Sequence, residues 1–200
     1  MDLTTKSNAQ VATQHVKGRK LTLQDLKRAN MPATVARNIY ILCDISGSMS
    51  GNKLLALQDA LKKVYKPGIK VFAFSDDTYE LQESDFPSLG VMGGTYMLNA
   101  LRETWQCNPR HIILITDGLP TDASEDEILN VANIYKDIPI DTIGISDYGR
   151  RGFNARFLEE LSTLTGGKFN DCSKPFELTF IIETLLIGAG SPEKGGVIKL

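Results

Sequence analysis

Short apolar runs alternate with longer amphipathic segments along most of this chain. Four runs have the length and β-branched content of buried strands: 39–43, 70–74, 111–116 and 139–145. Apolar residues at helical spacing predict five helices, over about 53–65, 95–106, 124–135, 153–165 and 176–187. Strands that alternate with helices require crossover connections and a mainly parallel sheet with helices on both faces. The sequence therefore predicts a doubly wound α/β fold.

Smaller signals complete this expected fold. Residues 78–81 and 168–171 are predicted as short additional strands, the first at a sheet edge. Gly166 and Gly167 are predicted to end the fourth helix. The last helix is expected to bury six apolar side chains: Phe176, Leu178, Phe180, Ile181, Leu185 and Leu186.

The apolar periodicity that predicts strands and helices is weaker at the two ends of the chain than in its middle. A chain of 200 residues suits one domain with a single core. We expect this domain over 38–187, preceded by an N-terminal extension over 1–37 that is partly mobile and contains a short helix. Residues 188–200 are rich in glycine and are predicted to form a flexible tail.

Composition narrows the classes of partner. The chain has 22 basic and 24 acidic residues, a net charge of −2, so no basic surplus favours nucleic acid. The N-terminus lacks the apolar segment of a secretory signal, and the apolar stretch 180–189 is too short to span a bilayer. Three cysteines without C-x-x-C spacing are typical of free thiols in a reducing compartment. We therefore expect a cytoplasmic protein without a membrane partner.

Oxygen-bearing side chains follow the predicted strands. Asp44, Ser46 and Ser48 come directly after the first strand, and Asp117 comes directly after the strand 111–116. Thr95 follows two glycines and opens the second helix. Ligands of open α/β sheets bind at the carboxyl ends of strands, and oxygen ligands suit a hard divalent cation.

These three pieces, in this order, match the pattern D-x-S-x-S, then T, then D. The chain here resembles the von Willebrand factor A (VWA) family with its metal-ion-dependent adhesion site (MIDAS), over about residues 38–188. The resemblance implies that Ser46 and Ser48 ligate the metal directly and that Thr95 does so in some conformations. It also implies that Asp44 and Asp117 hold metal-bound waters or ligate directly. Mg²⁺ is the expected cation, with Mn²⁺ or Ca²⁺ as alternatives.

Each of these residues also has a structural interpretation. Asp44 and Thr95 could be helix caps, Ser46 and Ser48 turn residues, and Asp117 part of a plain turn with Gly118. Asp122 is expected to cap the following helix rather than to touch metal. Asp117 is expected to face solvent at its strand end.

The sequence supports an enzymatic site less well than it supports a metal-binding site. Residues 47–53, Gly-Ser-Met-Ser-Gly-Asn-Lys, depart from a phosphate-binding loop in glycine spacing and in the residue after Lys53. An aspartyl-phosphate enzyme would want a carboxylate where this chain has Ser46. We therefore expect no enzymatic activity, and a magnesium-dependent phosphatase is the less favoured alternative.

The expected function is a metal-dependent protein-interaction module. A cation held mostly by hydroxyls and water keeps its attraction for a carboxylate, so the partner is expected to offer an Asp or Glu side chain. Resemblance to intracellular microbial VWA proteins implies a stress or defence complex, with an AAA+ ATPase as one candidate partner. An extracellular adhesion protein is the alternative.

Overall fold

The structure is a computed structural model that describes residues 38–189. The predicted extension over 1–37 and all of the predicted tail except residues 188 and 189 lie outside the described residues.

Within that range the chain forms one six-stranded sheet covered by helices. The strands are β1 (Ile39–Asp44), β2 (Ile69–Phe74), β3 (Thr78–Leu81), β4 (His111–Thr116), β5 (Ile140–Ile145) and β6 (Phe169–Cys172). The helices are α1 (Asn52–Val64), α2 (Met97–Gln106), α3 (Glu125–Ile134), α4 (Ala155–Leu164) and α5 (Leu178–Ala189). The predicted doubly wound α/β fold is confirmed.

The strand order is β3-β2-β1-β4-β5-β6. All neighbouring pairs are parallel except β2 and β3, so β3 is the antiparallel edge strand. After β1 the chain first builds the sheet towards β3 and then returns to place β4 on the other side of β1. The carboxyl ends of β1 and β4 therefore flank the point where the strand order reverses, which is where such sheets bind ligands.

Strand β1 supplies both faces of the core because its side chains alternate across the sheet. Ile39, Ile41 and Cys43 pack with α1 and α5 on one face. Tyr40 and Leu42 pack with α2, α3 and α4 on the other. All six residues of β1 are buried, as expected for a central strand covered by helices on both sides.

Local signals end and begin the helices where the sequence predicts. Ser124 precedes α3, and its Oγ accepts a hydrogen bond from the Glu127 N–H at 3.2 Å. Gly166 follows α4 with φ of +77°, a left-handed conformation that glycine adopts without the steric cost of a Cβ.

The last helix differs from its prediction in start and in buried face. A 3-10 turn occupies Pro175–Glu177, and α5 begins only at Leu178. Phe176 and Phe180, both expected in the core, are 77% and 63% exposed. Ile182, which was not predicted, is buried in their place. The segment is apolar on nearly every side, so spacing alone does not identify the face that meets α1.

This difference has a direct test. Phe180→Ala should change the free energy of unfolding by at most about 0.5 kcal/mol, because the ring is mostly in solvent. The matched variant Ile182→Ala empties a fully buried position and should cost about 2–5 kcal/mol. Chemical denaturation of both variants measures the two values. A larger loss for Phe180→Ala than for Ile182→Ala would contradict the observed helix face.

Candidate metal site

The carboxylate of Asp44 lies between β1 and β4 at the carboxyl end of both strands. Its Oδ1 accepts a hydrogen bond from the Ser46 N–H at 2.7 Å, and its Oδ2 accepts one from the Thr116 hydroxyl at 2.6 Å. Thr116 ends β4, so the parallel pairing of β1 and β4 brings the two side chains together. Asp44 is fully buried, and each of its carboxylate oxygens accepts a hydrogen bond.

The hydroxyls of Ser46 and Ser48 lie side by side in the loop that follows β1. Ser46 Oγ and Ser48 Oγ are 3.0 Å apart, and Ser48 Oγ donates to Asp117 Oδ1 at 2.7 Å. A 3-10 turn at Gly47–Met49 places them, and neither it nor α1 receives a side-chain cap at its N-terminus. The serines thus lie at a turn, as their structural interpretation expected, and their hydroxyls contact each other and Asp117 instead of capping a helix.

Thr95 reaches the same place on a separate loop. Its N–H donates to Thr121 Oγ1 at 3.0 Å, and its carbonyl accepts from the Thr121 N–H at 2.9 Å. Upstream, Asp76 Oδ1 accepts from the Gly94 N–H at 2.7 Å. These three hydrogen bonds fix the backbone on both sides of the Thr95 side chain, which is itself buried.

Gly118 shows how closely the predicted side chains converge. A Cβ built on Gly118 would lie 3.2 Å from Thr95 Oγ1, 3.7 Å from Asp44 Oδ2 and 3.7 Å from Ser48 Oγ. One atom-sized space beside this glycine, on the loop of Asp117, is thus lined by oxygens from the two other loops. The structure brings together all five residues of the sequence prediction: Asp44, Ser46, Ser48, Thr95 and Asp117.

The electrostatics of this cluster favour a bound cation. Burial raises the pKa of the Asp44 carboxyl, and the nearby charge of Asp117 raises it further. Hydrogen bonds from Ser46 and Thr116 oppose that rise without cancelling it. Two carboxylates with low exposure and three hydroxyls form an oxygen-only donor set, which fits a hard divalent cation.

A metal site built from histidine, cysteine and carboxylate side chains is absent from the described part of the chain. Among residues 38–189 no three side chains of histidine, cysteine, aspartate or glutamate cluster as a metal site. A cation at the candidate site would therefore depend on hydroxyl oxygens as well as on Asp44 and Asp117.

Two expectations about neighbouring acids were wrong. Asp117 is 5% exposed rather than solvent-facing, because Ser48 and Lys53 cover its two oxygens. Asp122 caps α2 rather than the following helix, since its carboxylate accepts from the N–H groups of Leu98 and Asn99 at 3.3 and 2.9 Å. Asp122 thereby helps to fix the helix that follows Thr95.

Sequence reasoning missed two residues of the site. Thr116 was assigned to β4 only, although its position directly before Asp117 was a usable signal. Lys53 was weighed only as a phosphate-binding lysine, yet its Nζ forms an ion pair with Asp117 Oδ2. No sequence signal connects two residues that are 64 positions apart.

Comparison with known proteins identifies the fold family. The model of the von Willebrand factor type A domain matches residues 37–83 and 88–171. The chain belongs to the von Willebrand factor A family. VWA domains are generally non-catalytic modules that mediate protein binding.

A human relative is similar over most of this chain. The von Willebrand factor A domain-containing protein 3B is 27% identical over an alignment of 190 residues, and the match covers 78% of this chain and 14% of the relative. The VWA domain described here thus spans a small part of that curated protein.

Solved structures share the fold at low sequence identity. A von Willebrand factor type A protein from Catenulispora acidiphila superposes with a TM-score of 0.66 at 18% identity, covering 76% of this chain and 42% of that one. BatB from Bacteroides thetaiotaomicron superposes with a TM-score of 0.60 at 17% identity, covering 76% of this chain and 98% of that one. Proximal thread matrix protein 1 from the mussel byssus superposes with a TM-score of 0.56 at 17% identity, covering 76% of this chain and 45% of that one. That structure has a zinc-occupied MIDAS motif.

Proposed function

We propose that this VWA domain binds one divalent cation and uses it to hold an aspartate or glutamate side chain of a protein partner. Mg²⁺ is the cation we propose first. The ligand set we propose is Asp44, Ser46, Ser48, Thr95 and Asp117. The observation that carries the proposal is the approach of Thr95, Asp44 and Ser48 oxygens to one space beside Gly118, with Ser46 and Asp117 joined to Ser48 by hydrogen bonds. A solved relative with a zinc-occupied MIDAS motif supports it.

The donor set favours a cation that still attracts an anion. Three of the five proposed ligands are neutral hydroxyls, so the protein does not saturate the charge of the ion with carboxylates. When bound, the cation supplies the positive charge and the coordination position that a carboxylate needs. Mg²⁺ suits this role because it prefers oxygen ligands and is commonly held by only one or two carboxylates. Mn²⁺ and Ca²⁺ fit the same donors.

Exposed apolar side chains adjoin the site-forming loops. Met92 precedes the Gly93–Thr95 segment, Tyr96 follows Thr95 and Leu119 follows Gly118; all three are exposed. A partner that places a carboxylate at the site would cover these side chains. We therefore propose that apolar residues flank the acidic residue of the partner.

The cellular context is a proposal from family resemblance. We place the domain inside the cell, in a complex that includes an AAA+ ATPase or belongs to a stress or defence system. Cys43 and Cys172 are buried free thiols, which suits a reducing compartment. No helix within 38–189 is long and apolar enough to cross a membrane.

A pair of peptides tests the proposed function. One short peptide carries an aspartate between apolar residues, and its control carries asparagine at that position. We expect the aspartate peptide to shift backbone NMR signals of residues 44–48, 93–96 and 117–119 in the presence of Mg²⁺. The asparagine peptide, or addition of a chelator, should leave these signals unchanged. Equal shifts by both peptides, or shifts that persist with chelator, would contradict a metal-held carboxylate.

A further inference from the structure

Lys53 places a positive charge against one carboxylate of the candidate metal site. It lies in the first turn of α1, and its Nζ pairs with Asp117 Oδ2, while Asp117 Oδ1 holds the Ser48 hydroxyl. The same carboxylate therefore connects a resident ammonium group with one of the proposed metal ligands.

The burial of this pair separates it from ordinary surface ion pairs. The Lys53 and Asp117 side chains are 12% and 2% exposed. Three other lysine–carboxylate pairs of residues 38–189, Lys63–Asp59, Lys70–Glu80 and Lys174–Glu177, have side chains between 43% and 64% exposed. Solvent screens those exposed pairs and leaves them weak, whereas a shielded charge acts strongly on its surroundings.

The charge of Lys53 changes the electrostatic balance of the site. Asp44 and Asp117 together carry −2 when ionised, and Lys53 brings the cluster to −1. A divalent cation would then leave the loaded site at +1, whereas without Lys53 the loaded site would be neutral. A net positive site attracts an anion and holds its own cation less tightly.

We propose that Lys53 is a specificity-determining residue of the metal site, which weakens cation binding and strengthens the preference of the loaded site for a carboxylate. This inference rests on the proposed function. It adds a residue outside the D-x-S-x-S, T and D pattern, and it assigns the ion pair with Asp117 a role beyond stability.

The sign of both effects follows from Coulomb repulsion and attraction. A unit charge close to a divalent cation lowers its affinity by about tenfold even at a high effective dielectric constant. The same charge attracts an incoming carboxylate, by a smaller factor because the anion carries one charge instead of two. Removing Lys53 should therefore tighten metal binding and loosen carboxylate binding at once. A merely structural lysine would not move the two affinities in opposite directions.

Metal affinity is the first measurement. Calorimetric titration of the full chain with MgCl₂ and MnCl₂ should give a dissociation constant about tenfold lower for Lys53→Gln than for wild type. Lys53→Arg keeps the charge and should stay near wild type. Lys62→Gln makes the same charge change at an exposed position of α1 and serves as the matched control. If Lys53→Gln does not fold, Lys53→Met replaces it, because methionine keeps an unbranched side chain.

Carboxylate affinity is the second measurement, made by NMR titration with acetate at saturating Mg²⁺. Lys53→Gln should bind acetate several-fold more weakly than wild type and Lys62→Gln do. Equal metal affinity in Lys53→Gln and wild type would overturn the inference and leave the proposed function standing. Weaker metal binding by Lys53→Gln would overturn it too. No metal binding by either protein would overturn both the inference and the proposed function.

Discussion

Gly118→Ala should abolish divalent-cation binding without removing any proposed ligand. The added methyl group would occupy the space that Thr95, Asp44 and Ser48 line, at 3.2–3.7 Å from their oxygens. A cation and a methyl group cannot share that space, so we expect the dissociation constant to rise by at least about a hundredfold. Calorimetric titration with MgCl₂ measures the change.

The fold should tolerate this substitution. Gly118 is not among the described glycines with positive φ, and its nearest new contact is the end of a side chain rather than backbone. We expect the free energy of unfolding in chelator to fall by at most about 1–2 kcal/mol. Gly90→Ala is the matched control, because a Cβ there meets no atom within 4 Å. Metal binding by Gly118→Ala with wild-type affinity would show that the cation lies elsewhere.

The pieces of the site that sequence reasoning could predict are those set by local chain geometry. Asp44 and Asp117 come directly after apolar runs. Recognising those runs as strands is therefore enough to place both residues at the carboxyl ends of strands. The parallel pairing of β1 and β4 then brings the two strand ends together. The motif order adds Thr95, although the contacts with Thr121 that orient its loop are not visible in the sequence.

The parts that sequence reasoning missed depend on contacts between distant segments. The Lys53–Asp117 pair and the Asp122 cap of α2 each join a helix to a loop that is distant in sequence. The exposed side chains of α5 and of the 3-10 turn before it were missed for another reason. Phe176 and Phe180 are as apolar as their buried neighbours, so only packing against α1 distinguishes them.

Asp44→Asn should weaken cation binding and, without metal, stabilise the fold. Asparagine keeps an oxygen that can accept from the Ser46 N–H, and the Thr116 hydroxyl can turn to donate to the Gly118 carbonyl 3.5 Å away. The local hydrogen bonds can therefore survive the loss of the charge. Cation affinity should nevertheless fall by at least about a hundredfold, because a neutral amide replaces one of two carboxylates in the site.

Stability should move in the opposite direction. Burial holds the pKa of the Asp44 carboxyl above its usual range, so the ionised carboxylate is less stable in the folded chain than in water. Without metal at neutral pH, Asp44→Asn removes that cost and should raise the thermal midpoint. With saturating Mg²⁺ the wild type should regain its advantage, since a ligand that binds only the folded state stabilises it. Asp77→Asn, an exposed charge change after β2, should reproduce neither shift. An Asp44→Asn variant that is less stable than wild type in chelator would show that the carboxylate stabilises the fold rather than serving the metal.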